Sequence, residues 1–143
     1  MAETKTVADA AVTTFNDHDE DAIRGLYAEN AVSEAPGGVH VEGQNACAEY
    51  VMVWQRAFPD ATLTVHNEVV AGDTAVHEFT VEGTHTDTLA SPGGDVPATN
   101  RRVTGRGVEV IRVESDKVAS FHLYFDQVDV LTQLGLMREP ATT

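Results

Sequence analysis

The chain of 143 residues carries 23 acidic residues against nine basic ones, which gives it a formal net charge of −14. A length of this order fits one domain, so we expect residues 1–143 to form a single unit with its own hydrophobic core. Because no basic face could neutralise phosphates, nucleic acid is excluded as a partner, and no apolar run is long enough to cross a membrane.

The acidic residues are scattered along the chain, and lysine occurs only at Lys5 and Lys117. Such a surface repels itself unless salt screens it, so we predict a halophilic protein adapted to a salt-rich cytoplasm. The alternative interpretation is an ordinary acidic protein. The N-terminus lacks a signal-peptide pattern and Cys47 is a single cysteine, so we expect a cytoplasmic location and no internal disulfide.

Three segments of helical periodicity open the chain. Residues 4–15 bring Val7, Ala11 and Phe15 onto one helix face, and a second helix is predicted over residues 20–29. The Pro-Gly-Gly sequence at residues 36–38 then breaks the chain. A third helix over residues 44–58 carries a wide apolar stripe that suits packing on a sheet, formed by Ala46, Cys47, Tyr50, Val51, Trp54 and Phe58.

From Ala61 onward the apolar period changes to two, which is typical of strands. Two strands meet at a turn over residues 71–73, the second of them covering residues 74–84, and a loop occupies residues 90–100. Residues 103–114 and 117–125 form a long hairpin. Helices followed by antiparallel strands indicate an α+β fold, in which the three helices pack into the concave face of one strongly curved antiparallel sheet.

Two registers are open for the hairpin. A two-residue loop pairs Glu114 with Lys117 and places Glu109 opposite His122. A three-residue loop pairs Glu114 with Val118 and Glu109 with Leu123. We favour the second register because it separates apolar from polar side chains better. Its apolar face consists of Ile111, Val113, Ala119, Phe121, Leu123 and Phe125.

The favoured register turns Glu109 inward among aliphatic and aromatic side chains. A carboxyl in such surroundings is desolvated, which favours its neutral form and suits a general acid or base. We therefore interpret Glu109 as the candidate catalytic residue. The alternative is a position near the pocket mouth, or a pair with an arginine.

Three segments carry a resemblance to a known family. They are Ala57-Phe58-Pro59-Asp60, Gly83-Thr84-His85-Thr86, and the segment from Asp126 to Gly135. With them the chain, from Phe15 to Gly135, resembles the SnoaL-like polyketide cyclase (ester cyclase) family of the nuclear-transport-factor-two-like superfamily. The resemblance implies a cone-shaped roll, in which the curved sheet wraps around N-terminal helices and encloses an apolar pocket.

The resemblance also implies a chemistry. Polyketide cyclases of this family close a ring by intramolecular aldol condensation without metal: an acid on the last strand removes a proton beside a carbonyl, and a histidine on the preceding strand stabilises the enolate together with nearby amide groups. By position the acid corresponds to Leu123, the histidine to Glu109, and the amide groups to Ser33 and Gly107. The aldol mechanism therefore does not transfer unchanged.

Other polar residues have simpler interpretations. Asp126 with Asp129 is typical of a helix N-cap. No two of the six histidines stand at a metal-ligand spacing, so neither a metal nor another cofactor is expected. His85 follows Gly83-Thr84 and is either a pocket residue or a structural histidine bonded to backbone. The predicted pocket residues are Tyr50, Trp54, His85, His40, Ile111, Phe121, Leu123 and Phe125.

Together these observations predict a protein that binds a small apolar carbonyl compound. The first hypothesis is a cofactor-independent cyclase, isomerase or lyase with Glu109 as acid and base. The second is a non-catalytic binding protein that kept the pocket. In the favoured register Val108, Val110, Val118 and Tyr124 lie on the outer sheet face with His122, which predicts a homodimer through that face.

Overall fold

The computed structural model describes residues 2–91 and 93–137, so Met1, Pro92 and residues 138–143 of the predicted domain lie outside the described residues. The helices within the described part are α1 (Ala2–Asp17), α2 (Glu20–Leu26), α3 (Gln44–Ala57) and α4 (Gln127–Gln133). The strands are β1 (Tyr27–Ala35), β2 (Val39–Glu42), β3 (Thr62–Ala71), β4 (Thr74–Thr84), β5 (Arg102–Glu114) and β6 (Lys117–Phe125).

The six strands form one curved sheet in the order β2-β1-β6-β5-β4-β3. Four of the five neighbouring pairs are antiparallel, but β1 runs parallel to β6. The prediction of an α+β roll is confirmed, whereas the prediction of a purely antiparallel sheet is wrong. The reason is that α3 and four strands separate β1 from β6 along the chain, so no local turn fixes their relative direction.

Strands β1 and β2 were not predicted. The second helix ends at Leu26, where Tyr27 adopts an extended backbone, rather than at Glu29. Along β1 the buried residues are Tyr27, Ala31 and Ser33, two of which are small, so the period-two signal of this strand is weak. The break predicted at residues 36–38 is the turn that joins β1 to β2, with positive φ angles at Gly37 and Gly38.

The β5–β6 hairpin combines the two registers that the sequence left open. Its loop has two residues, Ser115 and Asp116, both with positive φ, and Glu114 pairs with Lys117. The register then shifts by one residue at Ala119, a β-bulge, and Glu109 pairs with Leu123. The favoured loop was therefore wrong, while the favoured pairing of Glu109 is confirmed.

The bulge also changes one outer-face assignment. Val118 was predicted to lie on the outer face, but it is buried in the core beside Ile111 and Val113. Because the strand shifts by one position at the bulge, both Val118 and Ala119 turn inward. Val108, Val110, His122 and Tyr124 are not among the buried residues.

Helices α1 and α3 pack on the sheet, and α4 contacts β5. Cys47 is fully buried on α3 with a free thiol, as its apolar stripe predicted. The predicted cap of α4 is confirmed, since the Asp126 carboxylate accepts a hydrogen bond of 3.0 Å from the Asp129 amide. Within the described residues, none of the helices combines the length and apolar character needed to cross a membrane.

Candidate active site

A cavity of about 150 Å³ lies between the helices and the sheet. Its wall is predominantly apolar, and α1, α2, α3 and strands β3 to β6 all contribute to it. A dry cavity of this size admits a compound of roughly one ring. The side chains of its wall include Phe15, Leu26, Tyr27, Tyr50, Trp54, Phe58, Leu63, Phe79, Glu109, Phe121, Leu123 and Phe125.

Glu109 is the buried carboxyl of this wall, with 6% of its surface exposed. Position 109 on β5 faces inward, as do its cross-strand neighbours His77 and Leu123. One carboxylate oxygen, Oε2, lies 2.8 Å from Nδ1 of His77, whose side chain is 0% exposed. The carboxyl is therefore held in place by an imidazole rather than by an arginine.

The other ring nitrogen of His77 continues this chain of contacts. Nε2 lies 2.7 Å from Oε2 of Glu68, whose side chain is 19% exposed. The strand register explains the arrangement, because Glu68 on β3, His77 on β4 and Glu109 on β5 are successive cross-strand partners on one face of the sheet.

The two carboxylates control the protonation of the imidazole between them. Burial lowers the pKa of His77, but the hydrogen bonds to Glu109 and Glu68 outweigh this effect and raise the pKa above its usual value. In the imidazolium form both ring N–H groups donate, one to each carboxylate. Protonation of His77 thus compensates two buried or half-buried negative charges.

The outer end of this row meets two residues of α1. Nζ of Lys5 lies 2.7 Å from Oε1 of Glu68 and 2.9 Å from Oδ2 of Asp9. The hydrogen bond from Lys5, foremost among several contacts, lowers the pKa of Glu68 to about 2. Glu68 is therefore ionised at neutral pH.

Asp9, Glu68 and His77 also bring three potential metal-ligand atoms within 4.8 Å of one another. Sequence spacing did not reveal this cluster because its members come from α1, β3 and β4. The Lys5 ammonium bonds both carboxylates of the cluster. Since a cation already neutralises these oxygens, we treat the cluster as an ion-pair network.

Two tyrosines, Tyr27 and Tyr50, line the cavity. Burial, and secondarily the charge of Glu109, raises the pKa of Tyr27 far above its usual value. Burial likewise raises the pKa of Tyr50. Both hydroxyls therefore stay protonated at neutral pH and are available as hydrogen-bond donors.

The structure places six of the nine predicted site residues in the cavity wall. They are Glu109, Tyr50, Trp54, Phe121, Leu123 and Phe125. Trp54 packs edge-on against Phe125, with ring centroids 5.7 Å apart, and stacks on Phe58. The third helix and the last strand thus form opposite sides of an aromatic wall.

The other three predicted pocket residues lie outside that wall. His40 is on the edge strand β2, exposed, with Nδ1 2.9 Å from Glu34 Oε2. Ile111 faces inward but is buried completely in the core. His85 is buried, stacks on Phe58, and its Nδ1 accepts the Thr99 backbone N–H at 3.2 Å. Nδ1 of His85 thus bonds Thr99 of the β4–β5 connection, whereas its buried Nε2 has no hydrogen-bond partner among the described residues.

Sequence reasoning missed His77, Glu68 and Tyr27. The pairing of Glu68 with His77 follows from the turn at Gly72 and Asp73, since Ala71 pairs with Thr74 and the register then runs without interruption to Glu68. That signal was present in the sequence. The pairing of His77 with Glu109 was not, because the 85–101 segment that joins β4 to β5 is too long to fix a register.

With this geometry established, the chain can be compared with known proteins. The family model described as SnoaL-like polyketide cyclase matches residues 5–134. The chain belongs to the SnoaL-like polyketide cyclase family. No curated protein matches it.

Solved structures of this SnoaL-like protein's relatives share its fold. A SnoaL-like protein from Jannaschia sp. CCS1 gives a TM-score of 0.83 at 18% identity, covering 97% of this chain and 94% of that one. AclR from Streptomyces galilaeus, described as a candidate hydroxylase, gives 0.79 at 24% identity, covering 97% and 89%. IdmH from Streptomyces antibioticus, described as a candidate polyketide cyclase, gives 0.74 at 26% identity, covering 92% and 98%.

The site of this SnoaL-like chain departs from the pattern that its sequence resembles. Leu123 stands where that pattern has the strand acid, and Glu109 where it has the histidine. The structure nevertheless brings an imidazole into contact with Glu109, because His77 lies beside it on the neighbouring strand. The carboxyl thus stands at the position of the histidine, and the imidazole comes from the neighbouring strand β4 rather than from position 123.

Proposed function

We propose that this SnoaL-like protein is a cofactor-independent enzyme that moves a proton on a small apolar carbonyl compound, with Glu109 as acid and base. The observation that carries the proposal is a carboxyl in the wall of an apolar cavity, backed by a fully buried histidine. The reaction type is a cyclisation, isomerisation or lyase reaction.

The residues at the cavity have separate roles in this proposal. The Glu109 carboxylate removes a proton from the carbon next to the carbonyl and returns it to another position. His77 orients that carboxylate through the 2.8 Å contact. The hydroxyl of Tyr27 or Tyr50 donates a hydrogen bond to the developing enolate oxygen, and the apolar wall excludes water.

Deuterium incorporation tests this proposal without knowledge of the natural substrate. Monocyclic ketones such as cyclohexanone, incubated with the protein in D₂O, should gain deuterium next to the carbonyl. Glu109→Gln keeps the shape of the side chain but cannot carry the proton. We expect it to slow incorporation by about 10²- to 10⁴-fold while ketone binding, followed by NMR shift changes, is largely retained.

Glu78→Gln is the matched control, because Glu78 lies one residue from His77 on β4 and is exposed. The ketone incubated with this variant should gain deuterium at the wild-type rate. An equal rate in the Glu109→Gln and Glu78→Gln variants would contradict the catalytic role of Glu109.

The second hypothesis, a binding protein without catalysis, is supported by Leu123 at the position of the strand acid. It predicts tight ketone binding without deuterium incorporation in the wild-type protein. Glu109→Leu would remove the carboxyl from an apolar wall, but it would also leave the buried Nδ1 of His77 without its partner. We therefore expect this variant to be destabilised, by about 1–3 kcal/mol, in either case.

A further inference from the structure

The side chains bonded in sequence to Glu109 form a row that runs from the cavity to a groove on the molecular surface. At the inner end Glu109 lies in the cavity wall. At the outer end Glu68 lies in a surface groove between α1 and β3, together with Asp9, Val12, Thr13 and Val65. Between them stands His77, which solvent does not reach. Of the three side chains in this row, the His77 imidazole alone contacts neither water nor the cavity.

We infer that Glu109 exchanges its proton with solvent through His77 and Glu68, behind the cavity, rather than through the cavity mouth. This inference rests on the proposed function, because it assigns a route to the proton that Glu109 takes from the substrate. Glu68 acts here as a relay residue that never contacts the substrate.

The transfer is balanced in protons and charge. In the starting state Glu109 is a carboxylic acid, His77 is neutral with its proton on Nε2, and Glu68 is a carboxylate. The Glu109 proton moves to Nδ1, which gives the favoured imidazolium between two carboxylates, and the Nε2 proton then moves to Glu68. Glu109 becomes a carboxylate, the imidazole changes tautomer, Glu68 becomes a carboxylic acid, and the net charge of the three groups stays at −1. Glu68 then releases the proton to water, and the reverse sequence returns one.

The distances and burial suit this transfer. Both distances across which a proton moves are short, 2.8 Å from Glu109 Oε2 to His77 Nδ1 and 2.7 Å from His77 Nε2 to Glu68 Oε2. Lys5 bonds the other carboxylate oxygen of Glu68, Oε1, so it fixes the carboxylate without occupying the oxygen that faces the imidazole. The charged groups packed around the relay are Lys5 and Asp9 on α1, Glu68 on β3 and Glu109 on β5.

A bound substrate would leave the relay accessible to Glu109. A ketone in the cavity would contact Glu109, whereas His77, the other partner of that carboxyl, does not line the cavity. The cavity wall is predominantly apolar, so it offers few groups that could carry a proton away from Glu109. The route through His77 lets Glu109 exchange that proton while the ligand is still bound.

Glu68→Gln tests the relay, because the amide oxygen still accepts a hydrogen bond from Nε2 but cannot take its proton. We expect deuterium incorporation into cyclohexanone to fall by on the order of 100-fold with unchanged ketone binding. Cyclohexanone incubated with Glu78→Gln should gain deuterium at nearly the wild-type rate, since Glu78 lies on the opposite sheet face. Incorporation in Glu68→Gln equal to that in Glu78→Gln would overturn the relay.

A second measurement separates failure of the relay from failure of the proposed function. NMR of ¹⁵N-histidine protein, with the cavity saturated by cyclohexane, reports exchange between water and the His77 Nδ1 proton without any reaction. The relay predicts exchange in the wild-type protein and its loss in Glu68→Gln. If exchange is lost in this way but wild-type protein gives no deuterated ketone, the relay stands and the proposed function fails. If exchange is the same in both proteins, the relay is wrong.

Discussion

His77 is the residue on which the candidate site depends. It is fully buried, and both of its ring nitrogens contact carboxylates, one facing the cavity and one facing the surface groove. A buried histidine with two anionic partners is more stable protonated than neutral, because each N–H then has an acceptor and the charges compensate. The residue therefore links the chemistry of the cavity to the stability of the sheet.

This linkage predicts a pH-dependent contribution to stability. Although burial lowers the pKa of His77, Glu109 and Glu68 raise it above the unfolded value of about 6.5. A raised pKa means that folding favours the bound proton, so the stabilisation is fully present below about pH 6.5 and is lost as the pH rises through the folded pKa. Glu68 acts in the opposite sense: its lowered pKa gives stabilisation above about pH 4.5 that is lost towards pH 2.

We therefore expect the free energy of unfolding to differ most between wild type and His77→Gln below about pH 6.5, and the difference to shrink as the pH rises through the folded pKa of His77. Urea unfolding at constant salt measures it. His66→Gln is the control, since His66 is exposed on β3 and its ring bonds the Thr80 hydroxyl rather than a carboxylate. A difference between wild type and His77→Gln that grows with pH would contradict this prediction.

At the scale of elements, β5 determines the shape of the cavity. Positions 105, 107 and 109 lie on the inward face of this strand. Their cross-strand partners on β4 are, in the same order, Val81, Phe79 and His77. The absence of a side chain at Gly107 leaves room for the Phe79 ring, because a Cβ there would stand 2.8 Å from Phe79 Cζ. The position of the aromatic wall thus depends on a glycine in the middle of a strand.

Gly107→Ala should displace the Phe79 ring into the cavity. The new Cβ would also lie 3.0 Å from the backbone oxygen of Tyr124, which cannot move as easily as a ring. We expect a loss of about 1–3 kcal/mol in stability together with weaker ketone binding, measured by thermal unfolding and NMR titration. Gly105→Ala is the matched control, because its nearest atoms stand 3.6 and 3.9 Å away. Equal effects of the two substitutions would show that the Phe79 contact does not matter.

At the scale of the whole molecule, the main feature is the excess of negative charge. With a net charge of −14, carboxylates outnumber the basic groups available to pair with them. Arg56, for example, bonds both Glu20 and Glu49. Most of the remaining repulsion acts between exposed groups, where dissolved salt screens it.

We expect the melting temperature to rise with salt. The screening length falls from roughly 30 Å at 0.01 M to roughly 3 Å at 1 M salt, so repulsion between exposed carboxylates is largely removed. Thermal melts at the two concentrations, at the same pH, measure the effect. An unchanged or lower midpoint at 1 M salt would argue against adaptation to a salt-rich cytoplasm.

We also propose that two copies associate through the outer sheet face. Tyr124 is 58% exposed and Val69 53%, and Val108 and Val110 lie on the same face. Sedimentation in 1 M salt at micromolar concentration should show a dimer, and Tyr124→Glu should convert it to a monomer. Val128→Glu changes an exposed apolar residue on α4 instead and should leave the dimer intact. A monomeric wild-type protein would refute the proposal.

The sequence by itself determined those parts of the structure that depend on neighbouring residues. Helical period located α1 and α3, and period two located β3 to β6, with the bounds of β4 and β6 predicted to the residue. The side chain of Asp126 set the start of α4. The inward direction of Glu109 followed from the separation of apolar and polar positions in one hairpin. These features are local because a turn, a cap or a side-chain period involves only a few consecutive residues.

Only the tertiary structure decided which distant segments meet. The parallel pairing of β1 with β6, the burial of Val118 and the contact between His77 and Glu109 each depend on pairing that the local sequence leaves open. The exclusion of His40 and Ile111 from the cavity wall depends on the same global arrangement. The physical reason is that a strand exposes the same donors and acceptors to any neighbour, so its partner and register are fixed by the packing of the whole chain and not by its own residues.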